Sequence, residues 1–189
     1  NLSTFHLSLH ESLNVSQSLL NLEHTFNEVV ETIVNCLKNK NKLLFCGNGG
    51  SAADAMHIAT EFTCRFKKDR RAYPAICLNT DGGLLTAISN DYCFNYIFER
   101  QIEALGNKGD VLIALSTSGN SGNIHSAIRA CKFKEIKTIA FLGKGGGECV
   151  DYADLSLIVK SNSTARIQEA HKFLLHVLCE RIDEIEIAN

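Results

Sequence analysis

Three features of the sequence predict an α/β fold with a single parallel sheet. Short apolar runs alternate with amphipathic stretches, the pattern of a sheet covered by helices on both faces. Turns rich in glycine, serine and asparagine follow the apolar runs, at the carboxyl ends of strands where ligands collect in such sheets. The chain has 189 residues, 45% hydrophobic and 21% charged, enough for one sizeable core. One domain is expected over residues 1–189, with a helical arm at 1–40 and the sheet and its helices at 41–189.

The arm carries Leu13, Leu19, Leu20, Leu22, Phe26, Val29, Val30, Ile33, Val34 and Leu37 near helical spacing, and residues 2–38 read as one long or broken helix. Such a stripe exceeds what a small sheet can cover, so subunits are expected to associate through it. A buried strand at 42–46 empties through Gly47-Asn48-Gly49-Gly50 into a helix. Ser51 and Asp54 have capping-box spacing, which places the helix start near Ser51. Gly47, Gly49 and Gly50 can take positive φ there and let a ligand approach the backbone N–H groups. Pro74 opens a short second strand that Asp81-Gly82-Gly83 closes, and residues 84–92 lead into a helix at 94–105. A third strand at 111–115 feeds the loop Ser116-Thr117-Ser118-Gly119-Asn120-Ser121 and a helix at 123–133. The grammar repeats in the strand that opens KTIAFLGKGGGE, followed by a last strand at 154–160. A final helix at 164–187 has an apolar stripe through Ile167, Ala170, Phe173, Leu174, Val177 and Leu178, flanked by Gln168, His171 and His176.

A net charge of −2 gives no electrostatic footprint for nucleic acid. The densest basic cluster, residues 65–71, reads as a solvated helix end with a local anion role. No apolar run approaches the ~20 residues of a membrane span, and no charged-then-apolar leader pattern is legible. The eight cysteines never fall in C-x-x-C spacing and most sit in apolar segments, so reduced thiols and a cytoplasmic location are expected. The N-x-S/T triplets at Asn1, Asn14 and Asn162 are then chance matches. With no initiator methionine, a few residues are expected to precede Asn1.

His57 and Glu61 are four residues apart, about 40° around a helix and ~6 Å along it, and share one face. A glycine turn or an i, i+4 pair alone is ordinary fold punctuation or a surface pair. No Gly-Lys-Ser/Thr follows the turn and the spacing is not G-x-G-x-x-G, which disfavours a nucleotide but not another anion. The loop at 116–121 offers four hydroxyls, Ser116, Thr117, Ser118 and Ser121, with flexible N–H groups at a helix start. It reads as a phosphate cradle built without cations, suited to a sugar phosphate.

Together, STSGNSGN, GNGGSAADAMHIATEF, ISNDY and RIQEAHKFLLH resemble the sugar isomerase domain family over nearly the whole chain, and within it the single-domain enzymes that act on sedoheptulose 7-phosphate. The resemblance implies a homotetramer with a five-stranded parallel sheet. It implies substrate contacts from Asn48, Gly49, Gly50, Glu61, Asn90, Asp91, Ser116, Thr117, Ser118, Ser121 and Gln168. It also implies one zinc per subunit bound by His57, Glu61, Gln168 and His176, with Glu61 and His176 as the acid/base pair. Arg65 matches an arginine near the substrate, while Cys64 departs from the usual glycine. The implied reaction yields D-glycero-D-manno-heptose 7-phosphate, the entry to nucleotide-activated heptose for lipopolysaccharide or capsule. A non-catalytic phosphosugar- or protein-binding module, like the replication-initiator-associating members of the family, is the alternative.

The residues suit that chemistry. Ketose–aldose conversion needs one group to move a proton between C1 and C2 and another to serve the carbonyl oxygen, and a carboxylate with an imidazole can do both. Two His, one Glu and one Gln are borderline N/O ligands that fit zinc. Gln168 and His176 lie eight residues apart, ~12 Å along one helix, so the simplest way to gather both is to take one from a neighbouring chain.

Overall fold

The computed structural model describes residues 2–185 and 187, so the Asn1 triplet and the final helix's expected passage through Glu186 lie outside the described residues. Strands β1 (Leu43–Gly47), β2 (Ala75–Cys77), β3 (Val111–Ser116), β4 (Lys137–Leu142) and β5 (Leu155–Ile158) form one parallel sheet in the order β2-β1-β3-β4-β5. From β1 the chain moves outward to β2 and then crosses back to β3, which pairs β1 from Leu43↔Val111 to Gly47↔Leu115. The sheet therefore reverses its winding between β1 and β3, and a crevice opens beyond their carboxyl ends.

The helices are α1 (Thr4–Ser18), α2 (Glu23–Lys38), α3 (Gly50–Thr63), α4 (Gly82–Asp91), α5 (Glu99–Leu105), α6 (Gly122–Phe133) and α7 (Thr164–Glu184). Alternation along the strands divides the core between the two faces. Leu43, Phe45, Val111, Ile113, Leu115 and Phe141 pack with α2, α3 and α7, while Leu44, Cys46, Leu112, Ala114 and Ala140 pack with the α5–α6 side.

The arm is broken: a 3₁₀ turn at Leu19–Leu22 separates α1 from α2. Beside the break, the Ser18 hydroxyl donates back to the Val15 carbonyl at 2.7 Å, a local bond that competes with regular helix. Helix α2 buries Phe26, Val29, Val30, Ile33, Val34 and Leu37, but α1 buries only Val15 and leaves Phe5, Leu9 and Leu13 exposed.

Two local expectations are corrected. Helix α3 starts at Gly50 with Gly49 at its N-cap, φ 56°, so Ser51 is already helical and no capping box forms. The Asp54 carboxylate instead pairs with Lys172 Nζ at 3.0 Å. Of the three turn glycines only Gly49 has positive φ; at Gly50 a Cβ would lie 2.6 Å from the Gln168 amide nitrogen and displace the end of that side chain. Second, α4 is a full helix in residues read only as a lead-in. The Asp81 carboxylate caps it by accepting from the Leu84 amide at 2.9 Å, whereas residues 94–105 split into a 3₁₀ turn, Phe94–Tyr96, and the short α5. The final helix ends at Glu184, where Ile185 turns extended.

His171 is fully buried on α7, with Nε2 3.0 Å from the Leu142 carbonyl at the end of β4. Burial pushes its pKa down to about 4, against the opposing pull of that carbonyl and of Asp54. The folded pKa lies below the unfolded value, so the unfolded chain takes up the proton first as pH falls. The contribution is fully present above the unfolded value of 6.5 and is lost toward pH 4, a span worth about 3 kcal/mol. Urea unfolding of wild type and His171→Gln is expected to show a steeper acid loss in wild type over that window. Parallel curves would remove His171 as the cause.

Candidate active site at the carboxyl edge of the sheet

Two loops meet at the β1/β3 crevice. The turn after β1 and the start of α6 are joined by a reciprocal amide pair, Asn48 and Asn123, each side chain donating to the other at 2.8 Å. Asn48 thus has its side chain committed to the frame, and what the turn offers a ligand is backbone. Sequence reasoning missed Asn123, although it closes the STSGNSGN motif.

The loop at 116–121 is shaped from within. Ser116 Oγ accepts from the Gly119 amide at 3.0 Å and lies 3.2 Å from Ser121 Oγ, while Ser118 Oγ accepts from the Asn120 amide at 3.2 Å and keeps its own proton to donate. Gly119, φ 66°, backs against the glycine loop after β4, where a Cβ would collide with the Gly146 carbonyl. Ser121 caps α6 without a side-chain bond, leaving first-turn N–H groups of the helix open toward the crevice. Thr117 and Ser118 are half-buried at the rim.

The second half of the site lies on α3 and α7, which run side by side in the same direction. Gln168 sits over Gly50, Lys172 pairs with Asp54, and the His176 ring meets the His57 ring edge-on with centroids 5.2 Å apart. His57 Nε2 is 3.0 Å from Glu61 Oε1. One chain therefore gathers His57, Glu61 and His176, and holds Gln168 at the other end of the ladder beside the glycine turn. From Gly50 to Glu61 is eleven residues of helix, ~16 Å.

Among the described residues, no three His, Cys, Asp or Glu side chains converge tightly enough to hold a metal ion within one chain. The donor pair does fit one: adjacent corners of a tetrahedral zinc with bonds of about 2.0–2.2 Å lie roughly 3.4 Å apart, close to the His57–Glu61 separation.

Asn90 and Asp91, at the exposed end of α4, bond to each other at 2.9 Å and to none of the other expected site residues in this chain. Arg65 is exposed just past α3. The basic cluster around it is mostly solvated, as expected, but its backbone and Arg70 are tied down. Asp183 of α7 accepts from the Lys67 and Lys68 amides at 2.8 and 3.0 Å and from Arg70 Nε at 2.8 Å. Burial pushes the Asp183 carboxyl up, but the Lys68 amide, the Arg70 guanidinium and the Lys67 amide outweigh it and hold it below the usual range. The segment reads as charged, yet its geometry is set by one carboxylate more than a hundred residues away.

A parallel sheet in this order, with a serine loop at its winding reversal, is a doubly wound α/β domain with its ligand crevice at the switch point, and the SIS domain family model matches residues 10–143. The chain belongs to the SIS domain family. Several relatives that match along its length are phosphoheptose isomerases. A phosphoheptose isomerase of Campylobacter concisus is 48% identical over 165 residues, covering 87% of each chain. One from a Nitratiruptor species is 47% identical over 182 residues, covering 90% of this chain and 97% of that relative. The solved structure of phosphoheptose isomerase from Neisseria gonorrhoeae superposes with a TM-score of 0.91 at 40% identity, covering 96% of this chain and 97% of that one.

Proposed function

We propose that the protein is a ketose–aldose isomerase that converts sedoheptulose 7-phosphate to D-glycero-D-manno-heptose 7-phosphate. The observation that carries this reading is the gathering of Glu61 and His176 around His57, in a chain close in sequence to the isomerases named above. Glu61 takes the C1 proton, the electron pair forms the C1–C2 double bond, and His176 protonates the C2 oxygen, giving an enediol. His176 then accepts the O1 proton as the C1 carbonyl forms, and Glu61 returns its proton to C2. A non-catalytic binding module would have no use for this pair.

The loop of Ser116, Thr117, Ser118 and Ser121 holds the substrate phosphate, and Gly49, Gly50, Gln168, Asn90 and Asp91 contact the sugar, some of them from a neighbouring copy. Zinc would be the cofactor, one per subunit, with His57 and Glu61 of one copy as the donor pair and with His176 and Gln168 as the other ligands of a set completed between copies. When bound, it would supply Lewis-acid polarisation of the substrate oxygens. The exposed apolar face of α1, and the groove between Leu19, Leu20, Phe26 and Phe173, suit association into a homotetramer. The eight free cysteines suit the cytoplasm, where the heptose phosphate would enter lipopolysaccharide or capsule synthesis. No helix among the described residues is long and apolar enough to cross a membrane.

Incubation with sedoheptulose 7-phosphate is expected to yield the aldose; no conversion by metal-replete protein would remove the reading. Phosphate recognition is tested separately. Ser118→Ala and Ser121→Ala each remove a neutral donor to a dianion, worth roughly 1.5–3 kcal/mol, or about ten- to a hundredfold in affinity. Calorimetric titration with inorganic phosphate is expected to show that loss, and unchanged affinity in both variants would move the cradle elsewhere.

A further inference from the structure

We propose that Phe66 is a positioning residue for His176, fixing the plane of its imidazole from one face. The inference rests on the acid/base reading of His176. The Phe66 ring stacks on the His176 ring with centroids 5.6 Å apart and planes 18° from parallel. His57 meets the same imidazole edge-on, 81° between planes. The ring is thus packed against a parallel ring, Phe66, and a perpendicular one, His57, and a flat aromatic surface restrains a plane in a way that an aliphatic side chain of similar volume does not.

What holds Phe66 there is built into α7 itself. Asp183 lies seven residues after His176, two helical turns on and on the same side. Its carboxylate accepts from the Lys67 and Lys68 amides, the two that follow Phe66. Arg70 completes the clamp: it pairs with Asp183, donates to the Glu61 and Phe62 carbonyls at 2.8 and 3.0 Å, and lies over the Tyr73 ring at 4.3 Å. The helix that supplies the imidazole therefore also supplies the anchor that presses Phe66 against it. The same clamp ties down the end of α3 that carries Glu61. Proton transfer requires its partners within hydrogen-bond reach, and a displacement of about 1 Å can cost on the order of 10²-fold.

Phe66→Leu in the metal-replete enzyme is expected to lower kcat roughly tenfold or more with KM changed less than about twofold, and Phe66→Tyr to restore most of the loss. An activity-independent readout accompanies the kinetics. In protein with isotope-labelled histidine, the His176 ring protons, assigned by their absence from His176→Gln, are expected at ring-current-shifted positions in wild type and Phe66→Tyr. In Phe66→Leu they should move to ordinary positions. Wild-type kcat in a folded Phe66→Leu would overturn the proposal. So would unshifted His176 signals in wild type, a measurement that needs no variant at position 66 to fold. An active His176→Gln would instead remove the acid/base reading, whereas an inactive His176→Gln beside a fully active Phe66→Leu removes the positioning role alone.

Discussion

Glu61→Gln and His176→Gln are each expected to lower kcat by roughly 10²- to 10⁴-fold, the usual worth of a positioned acid or base, with little change in urea unfolding. Both substitutions keep nearly the volume of the original side chain. Glu61 is half-buried at the end of α3, and its side chain bonds to His57, so Gln can retain the contact while losing the basicity. His176 is held by ring contacts with His57 and Phe66, so its loss removes stacking but leaves no buried charge. Activity within about threefold of wild type in both variants, measured as kcat on sedoheptulose 7-phosphate, would end the assignment.

Mixing two inactive proteins is expected to restore activity, provided each carries its defect in a different half of the site. In one chain the serine loop and Gln168 lie at the start of α3 while Glu61 and His176 lie near its end, ~16 Å along the axis from Gly50. A seven-carbon chain with its phosphate, at about 1.5 Å per staggered bond, spans roughly 10 Å. The cradle of one copy is therefore expected to work with the acid/base pair of another. Ser121→Asp should silence the cradle by placing a carboxylate against the phosphate, and it leaves α6 with an acceptable cap. When Glu61→Gln and Ser121→Asp chains exchange subunits at equal amounts, about one site in four combines two intact halves. Glu61→Gln mixed with His176→Gln should stay inactive, because one chain brings both residues to the same cluster. The expected division between Gln168 and His176 falls along the same line, Gln168 lying in the half with the cradle. Confirmed exchange without activity in the first mixture would place the whole site in one chain.

Much of this was legible from local pattern. The five apolar runs became the five strands, and the serine loop and the His57–Glu61 face fell where strand-end position and helical spacing put them. Helix α4 was hidden because it opens on Gly82 and Gly83, poor helix formers whose cost is offset by the Asp81 cap and by burial of Ile88. The capping box failed because Asp54 found a partner on α7 rather than the helix start. What joins distant segments left no trace in spacing. Asn48 meets Asn123, Phe66 meets His176 and Arg70 meets Asp183 only because the sheet order sets α3, α6 and α7 around one edge. The basic cluster is solvated as read, but a carboxylate from the far end of the domain holds its backbone and Arg70.

The arm has a consequence for biosynthesis. Helix α2 packs against β5 and α7, and α1 lies along α7, where Ser12 and Ser8 bond Glu169 and Arg166. Within this domain the arm is thus made before much of what covers it, β3 coming earlier and β5 and α7 later, although domains are generally able to fold as units while synthesis proceeds. Until α7 emerges, Phe26, Val30 and Ile33 have only part of their surface to cover. Ribosome-bound chains halted just before Thr164 should remain protease-sensitive across β1 and β3, and those halted well beyond Glu184 should not. Within this domain the apolar stripe of α2 is exposed early, and it is fully covered only once α7 is in place.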